Sequence, residues 1–338
     1  MFKRSLSKQV LPETVGAPGQ HCFYASLHAL LLRHGVYTDE ADLYFLCNGL
    51  SISYKGNFDS FGLRPMADLL SQWSANTQVE VKHVTIDPSL SKRNDFLILQ
   101  DWSNALENGK SILLHLQSGC LNFHPVYQNN PSKGHVIQLY GLDMKQDEAY
   151  VSDHFLLEES GHVLSYSGKT NLTLLLEGIL EYAYLNGNPA EELSVKQVIQ
   201  ACDLHLEQFL QESWSAYAVL FCDLDRLLEM DDEQFRASCD TLYYQLRIES
   251  LMHLLQYTEQ FISRYEGLMG SEHHTEQLRS DLHELRQTWK RHLLQLYKIG
   301  LRVNRNKLPE YIQHSLRLLA ELKAVLERMR MTVNHIRL

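Results

Sequence analysis

Hydrophobic positions along the chain fall into two regimes. In residues 22–34, CFYASLHALLLRH, apolar side chains crowd nearly every position and Gly35 follows, which predicts a buried helix closed at a glycine C-cap. Thr38, with Asp39 and Glu40 behind it, predicts the start of a second helix that stops near Gly49. Alternation then takes over. Residues 79–87 (VEVKHVTID), 111–116 (SILLHL), 135–142 (HVIQLYGL) and 149–153 (AYVSD) read as strands. A helix around Leu99–Glu107, ended by Asn108-Gly109, separates the first two, and the polar turn DMKQDE joins the last two as a hairpin. Val163–Tyr166 predicts one more short strand, and Pro12, Gly16, Pro18 and Gly19 make the first 19 residues a loop. Beyond Thr170 helical periodicity covers 171–187, 194–212, 232–265, 275–300 and 309–336, with Pro189 and Pro309 as punctuation. The expected organisation is an α+β domain over residues 1–168 followed by an all-α helical domain over 169–338.

Composition narrows the class. Apolar residues make up 44% and charged residues 21% of 338, the balance of an ordinary globular protein with room for two cores. No apolar run is long enough for a membrane span, and the basic start MFKRSLSKQV lacks the apolar core of a signal peptide, so a cytoplasmic protein is expected. Six cysteines without a CxxC pair argue against a disulfide framework and against a cysteine-rich zinc site. Glycine-rich phosphate loops are absent, and no metal or cofactor is indicated.

The net charge of −10 conceals an asymmetry. Residues 279–338 carry 13 Lys/Arg against 5 Asp/Glu, a balance of +8, which leaves −18 on the remainder. Such a basic stretch predicts either an acidic partner or an internal match in which basic helices lie against the acidic body. Nucleic acid is not the expected partner, because no recognised binding motif is present and the pI is about 5.9.

Chemistry concentrates in three places. Gly19-Gln20-His21-Cys22 puts a thiol at the start of an apolar helix, where the positive end of the helix dipole favours the thiolate. Gly134-His135 opens a buried strand that holds the imidazole rigidly. Asp153 ends the next strand, where pairing would bring it beside His135 to fix its tautomer. Cysteine on a helix, then histidine on a strand, then aspartate on the adjacent strand is the chain order of papain-like enzymes. Taken singly, a cysteine on an apolar helix is more often a structural thiol. His21 beside the thiol, and His124 and Tyr127 in the loop before His135, are read as substrate contacts, against the simpler readings of a helix cap and a turn supported by Pro125.

Three stretches carry a family resemblance: His21-Cys22-Phe23-Tyr24-Ala25-Ser26-Leu27 with its leucine-rich helix; Asp101–Leu116; and Asn122-Phe123-His124-Pro125 through Gly134-His135 and Tyr140-Gly141-Leu142-Asp143 to Val151-Ser152-Asp153. Over roughly residues 19–155 the chain resembles the BtrH-like family, named for a butirosin-biosynthesis acyltransferase and related to leader-processing cysteine peptidases of the papain-like superfamily. The resemblance implies a papain-like cysteine-nucleophile domain followed by helices. It implies acyl transfer from a carrier-protein thioester to a small amine, with phosphopantetheine brought by the donor and Cys22, His135 and Asp153 as the triad. Basic residues of 279–338 would then dock an acyl- or peptidyl-carrier protein. A cysteine hydrolase on the same triad, or a binding protein that retains the fold, are the alternatives. Three positions depart from the family: Phe23 and Tyr24 follow the cysteine where small residues are usual. Gly16 stands where leader peptidases carry an oxyanion glutamine, which leaves Gln20 as the nearby substitute.

Overall fold

A computed structural model describes residues 8–13, 16–56, 58, 61–62, 64–86, 95–128, 131–158, 161–187, 193–270 and 272–336. The chain divides into two compact units: residues 1–43 with 66–193, and residues 44–65 with 194–338. The first is α+β and the second helical, the class expected from the pattern. The division itself differs from the expected boundary at 168/169.

In the first unit, helices α1 (Cys22–Arg33), α2 (Glu40–Leu46, whose last turn passes into the second unit), α3 (Met66–Thr77) and α4 (Asp95–Glu107) surround a sheet. Its strands are β1 (Gln9–Val10), β2 (Val81–Thr85), β3 (Ile112–Gln117), β4 (Gly134–Asp143), β5 (Glu148–Leu157), β6 (Val163–Asn171) and β7 (Ile179–Leu185). All pairings among the described strands are antiparallel, in the order β2-β7-β3-β4-β5-β6, with β1 on the end of β4. His135, Ile137 and Leu139 share the face of β4 that meets Leu116, Leu114 and Ile112 of β3. That face closes a core with Trp102 of α4, Tyr127 and Leu175.

The largest difference from expectation lies at 171–187. A single helix is predicted there. The chain instead makes a short helix α5 (Leu172–Gly178), capped by the Asn171 side chain on Leu174 N, and then β7, inserted between the edge strand β2 and β3. The segment ILEYAYL of β7 is aromatic and alternating enough for a strand, and burial against β2 and β3 decides between the two periods. The sheet unit therefore reaches past residue 168. Strand β5 also runs on past the predicted end, so Asp153 lies within it rather than at its tip.

The second unit contains α6 (Val195–Gln208), α7 (Trp214–Asp223), α8 (Asp232–Tyr244), α9 (Leu251–Tyr265), α10 (Glu272–Leu301) and α11 (Leu308–Asn334). The predicted helix 232–265 is interrupted by a π-helical turn, Gln245–Glu249 between α8 and α9, and the predicted helix 194–212 ends in another, Phe209–Ser213, that leads into α7, a helix outside the predicted set. The segment 44–65 is a component of this unit. Phe45 is buried against Phe261, its carbonyl bonds His205 Nδ1 at 2.7 Å, and Phe61 packs on Tyr217. No described helix is long and apolar enough to cross a membrane.

Candidate active site

The entrance to α1 is built by close approaches. Gly19 N donates to the carbonyl of His154 at 2.6 Å, and a Cβ on Gly19 would sit 2.4 Å from both Ala25 Cβ and Glu40 Oε1. Only glycine fits. The Gln20 N–H then donates to both carboxylate oxygens of Glu40 at 3.1 Å. His21 is the N-cap: its backbone is extended and its Nδ1 accepts from Phe23 N at 3.2 Å, while its ring lies against Tyr24. Cys22 follows as the first helical residue, half-buried, at the positive end of the helix.

His135 and Asp153 meet from adjacent strands. The His135 Nε2 lies 3.1 Å from each oxygen of the Asp153 carboxylate, and both side chains are buried. The Cys22 thiol is within hydrogen-bonding reach of the same ring and contributes to raising its pKa. The structure thus brings together the three residues singled out as nucleophile, base and orienter.

The carboxylate is held by more than the imidazole. Between Asp153 and Leu156 the pairing of β5 with β6 slips, so that an extra residue bulges out. Just past Asp153 the Phe155 N–H turns to the carboxylate, donating to Asp153 Oδ1 at 3.0 Å. The Tyr127 hydroxyl donates to Asp153 Oδ2 and lies 3.1 Å from His135 Nε2. Three kinds of donor (imidazole, phenol and amide) therefore converge on one fully buried carboxylate.

The electrostatics follow from this arrangement. Burial alone would raise the Asp153 pKa, but the charge and hydrogen bond of His135, with Tyr127 and the Phe155 amide, hold it below the usual carboxylate range. Burial alone would lower the pKa of His135. The Asp153 charge and hydrogen bond, reinforced by Cys22, outweigh it and raise the imidazole above its ordinary value. Tyr127 is driven upward, first by burial and then by the neighbouring Asp153 charge, so its phenol stays protonated and remains a donor.

The remaining predicted contacts fall in different places. Tyr127, read from sequence as a cleft residue, is buried behind the histidine. His124 is half-buried and its Nδ1 accepts from Val126 N at 3.3 Å, shaping the turn that delivers Tyr127. His21 caps α1, and the Gln20 backbone N–H is committed to Glu40. Gly16 has the His154 ring 2.7 Å from where its Cβ would be, so a glutamine side chain there has no room. The supporting donors Tyr127 and Phe155 carried no sequence signal for that role. Only the aromatic residue in the loop before His135 marked the first of them. No group of three or more His, Cys, Asp or Glu among the described residues is placed to hold a metal ion.

The basic segment is largely answered within its own unit. Arg279 pairs with Glu266, Arg286 with Glu259, Arg305 with Asp232, Arg328 with Asp281 and Arg330 with Glu207, at 2.6–3.0 Å. Among the described residues Lys290, Arg291, Lys298, Arg302 and Arg317 form no ion pair.

Residues 21–154 match the family model described as butirosin biosynthesis protein H, N-terminal. Among solved structures, a putative C39-like peptidase from Bacillus anthracis is similar at 13% identity and a TM-score of 0.32, over 54% of this chain and 98% of that one. No curated protein matches.

Proposed function

We propose that this chain, whose residues 21–154 belong to the N-terminal family of butirosin biosynthesis protein H, is a papain-like cysteine enzyme that moves an acyl group from a carrier-borne thioester to an amine. The observation that carries the reading is the Cys22 thiol at a helix N-terminus, in reach of an imidazole whose other side is fixed by a buried carboxylate. Asp153 occupies His135 Nε2, which leaves Nδ1 to serve the thiol. An imidazolium there and the helix end both favour the thiolate.

The Cys22 thiolate attacks the thioester carbonyl carbon, and the carbon–sulfur bond to the pantetheine thiol breaks. The departing thiolate takes the proton from His135. An acceptor amine then attacks the acyl-cysteine, His135 takes a proton from the amine, and the Cys22 thiolate is released with the amide product. The negative oxygen of each tetrahedral intermediate falls to the Cys22 N–H, at the first helical position of α1. The donor brings its own phosphopantetheine as part of the substrate.

Intact-mass spectrometry after incubation with a panel of acyl-pantetheine thioesters tests this. An adduct on the wild type that is absent from Cys22→Ala is expected, discharged faster by amines than by water. Discharge by water alone would make the enzyme a hydrolase. No adduct from any donor, with Cys22 alkylating at about pH 6 no faster than an ordinary thiol of pKa about 8.5, would replace catalysis by a binding role.

A further inference from the structure

The turn that joins α10 to α11 encloses an open pocket of about 330 Å³, lined by Gln295, Lys298, Arg302, Asn304, Lys307 and His314, with Ile299, Glu310 and Tyr311 completing the wall. That volume is at the lower end of small-ligand sites. The lining is charged: three cations against one carboxylate give +2 on a chain whose net charge is −10. Glu310 is spoken for by Lys307 at 3.0 Å. Lys298 and Arg302 form no ion pair among the described residues, in contrast to the arginines of the same helices that bridge to acidic partners.

Two backbone features add to this. The 27-residue helix α11 begins at the pocket wall, and no side chain caps its N-terminus. The Leu308 N–H is bonded to the Arg305 carbonyl and Pro309 has none, so what this end turns to the pocket is the positive end of the helix dipole. At the other side of the turn Val303 holds φ at 50°, a left-handed conformation that a β-branched side chain rarely adopts, between the lining residues Arg302 and Asn304.

We infer that this pocket binds a phosphate-bearing anion, with Arg302 offering its paired guanidinium donors, Lys298 a point charge, and Gln295 and Asn304 neutral donors. A guanidinium and an ammonium with no ion-pair partner among the described residues, beside the positive end of a helix, match the tetrahedral acceptor set of a phosphate group. The site lies wholly in the helical unit and does not depend on the chemistry of Cys22.

The test is isothermal titration of the full-length protein with inorganic phosphate, pyrophosphate and glycerol phosphate, and co-sedimentation with vesicles containing phosphatidic acid. Saturable binding of a soluble probe is expected, weakened by about tenfold or more in Lys298→Gln/Arg302→Gln, a loss on the scale of charge-assisted contacts. Arg302→Lys should fall between the two, and Lys290→Gln/Arg291→Gln on the same helix should bind as wild type. Both substituted pairs are exposed, and circular dichroism verifies that each variant is folded. Binding to vesicles but not to soluble probes, lost in the same double variant, assigns the phosphate to a lipid headgroup. No saturable binding up to about 10 mM, or equal loss in the control pair, overturns the inference.

Discussion

Tyr127→Phe removes one oxygen from behind the candidate triad and leaves the ring, which packs in the core, in place. The lost bond ran from the phenol to the fully buried carboxylate of Asp153. A hydrogen bond to a charged group contributes about 1.5–3 kcal/mol. For a unit of this size that is a fall of about 3–12 °C in the unfolding temperature. If the whole of that energy belongs to the ionised carboxylate, the Asp153 pKa rises by about 1–2 units, at 1.36 kcal/mol per unit. Protonating Asp153 withdraws the charge that raises His135, and His135 then no longer supports a Cys22 thiolate. The rate of Cys22 alkylation with iodoacetamide, followed against pH, should accordingly keep its plateau near neutrality while its acid limb moves upward. Calorimetry on the same samples reads the stability loss. A lower unfolding temperature with an unmoved acid limb would reduce Tyr127 to a packing residue, and no change in either would refute the reasoning outright.

Three further outcomes follow from the same contacts. The depressed Asp153 contributes stability that is present above the ordinary carboxylate range and lost as pH falls through its folded pKa. The raised His135 contributes stability present below about pH 6.5 and lost as pH rises through its folded pKa, so urea unfolding should show the excess of wild type over His135→Gln at its largest between about pH 4 and 6.5. Gly19→Ala forces a methyl into Ala25 and Glu40, and should cost about 1–3 kcal/mol in urea unfolding and slow Cys22 alkylation, because the residues before the thiol must shift. Val303→Gly relieves the left-handed strain at the end of α10, and should stabilise the helical unit by up to about 1 kcal/mol, read as a higher midpoint in the same assay.

The candidate site was legible where its signal was local. Cys22 stands at the boundary between a glycine-rich loop and an apolar helix, and His135 at the start of an alternating strand, and both boundaries are visible within a dozen residues. What a one-dimensional pattern cannot carry is contact between distant segments. The sequence gives no reason for Phe155 to aim its N–H at Asp153, because the slipped register depends on how β6 pairs. In sequence Tyr127 is a loop aromatic, and its burial behind His135 depends on the core under β4. Strand β7 was hidden for a different reason: the run from Leu172 to Leu185 is apolar enough to satisfy either period, and the vacancy between β2 and β3 chooses. Net charge marks the basic tail as a docking face, whereas most of its arginines are matched by acids such as Glu207, Asp232, Glu259 and Asp281 on α6, α8, α9 and α10.

The interleaving of the two units sets an order of events during synthesis. Residues 44–65 leave the ribosome early, yet Phe45 and Phe61 pack on Phe261 and Tyr217, which are encoded after Ser194. While the sheet unit is being made, this segment must wait as an exposed apolar loop, and it is the stretch on which a chaperone would act. A gene cut after Leu193 would leave the loop waiting permanently. The nucleophile domain should therefore come out of the cell aggregated when expressed alone, and soluble when residues 44–65 are replaced by a short polar linker.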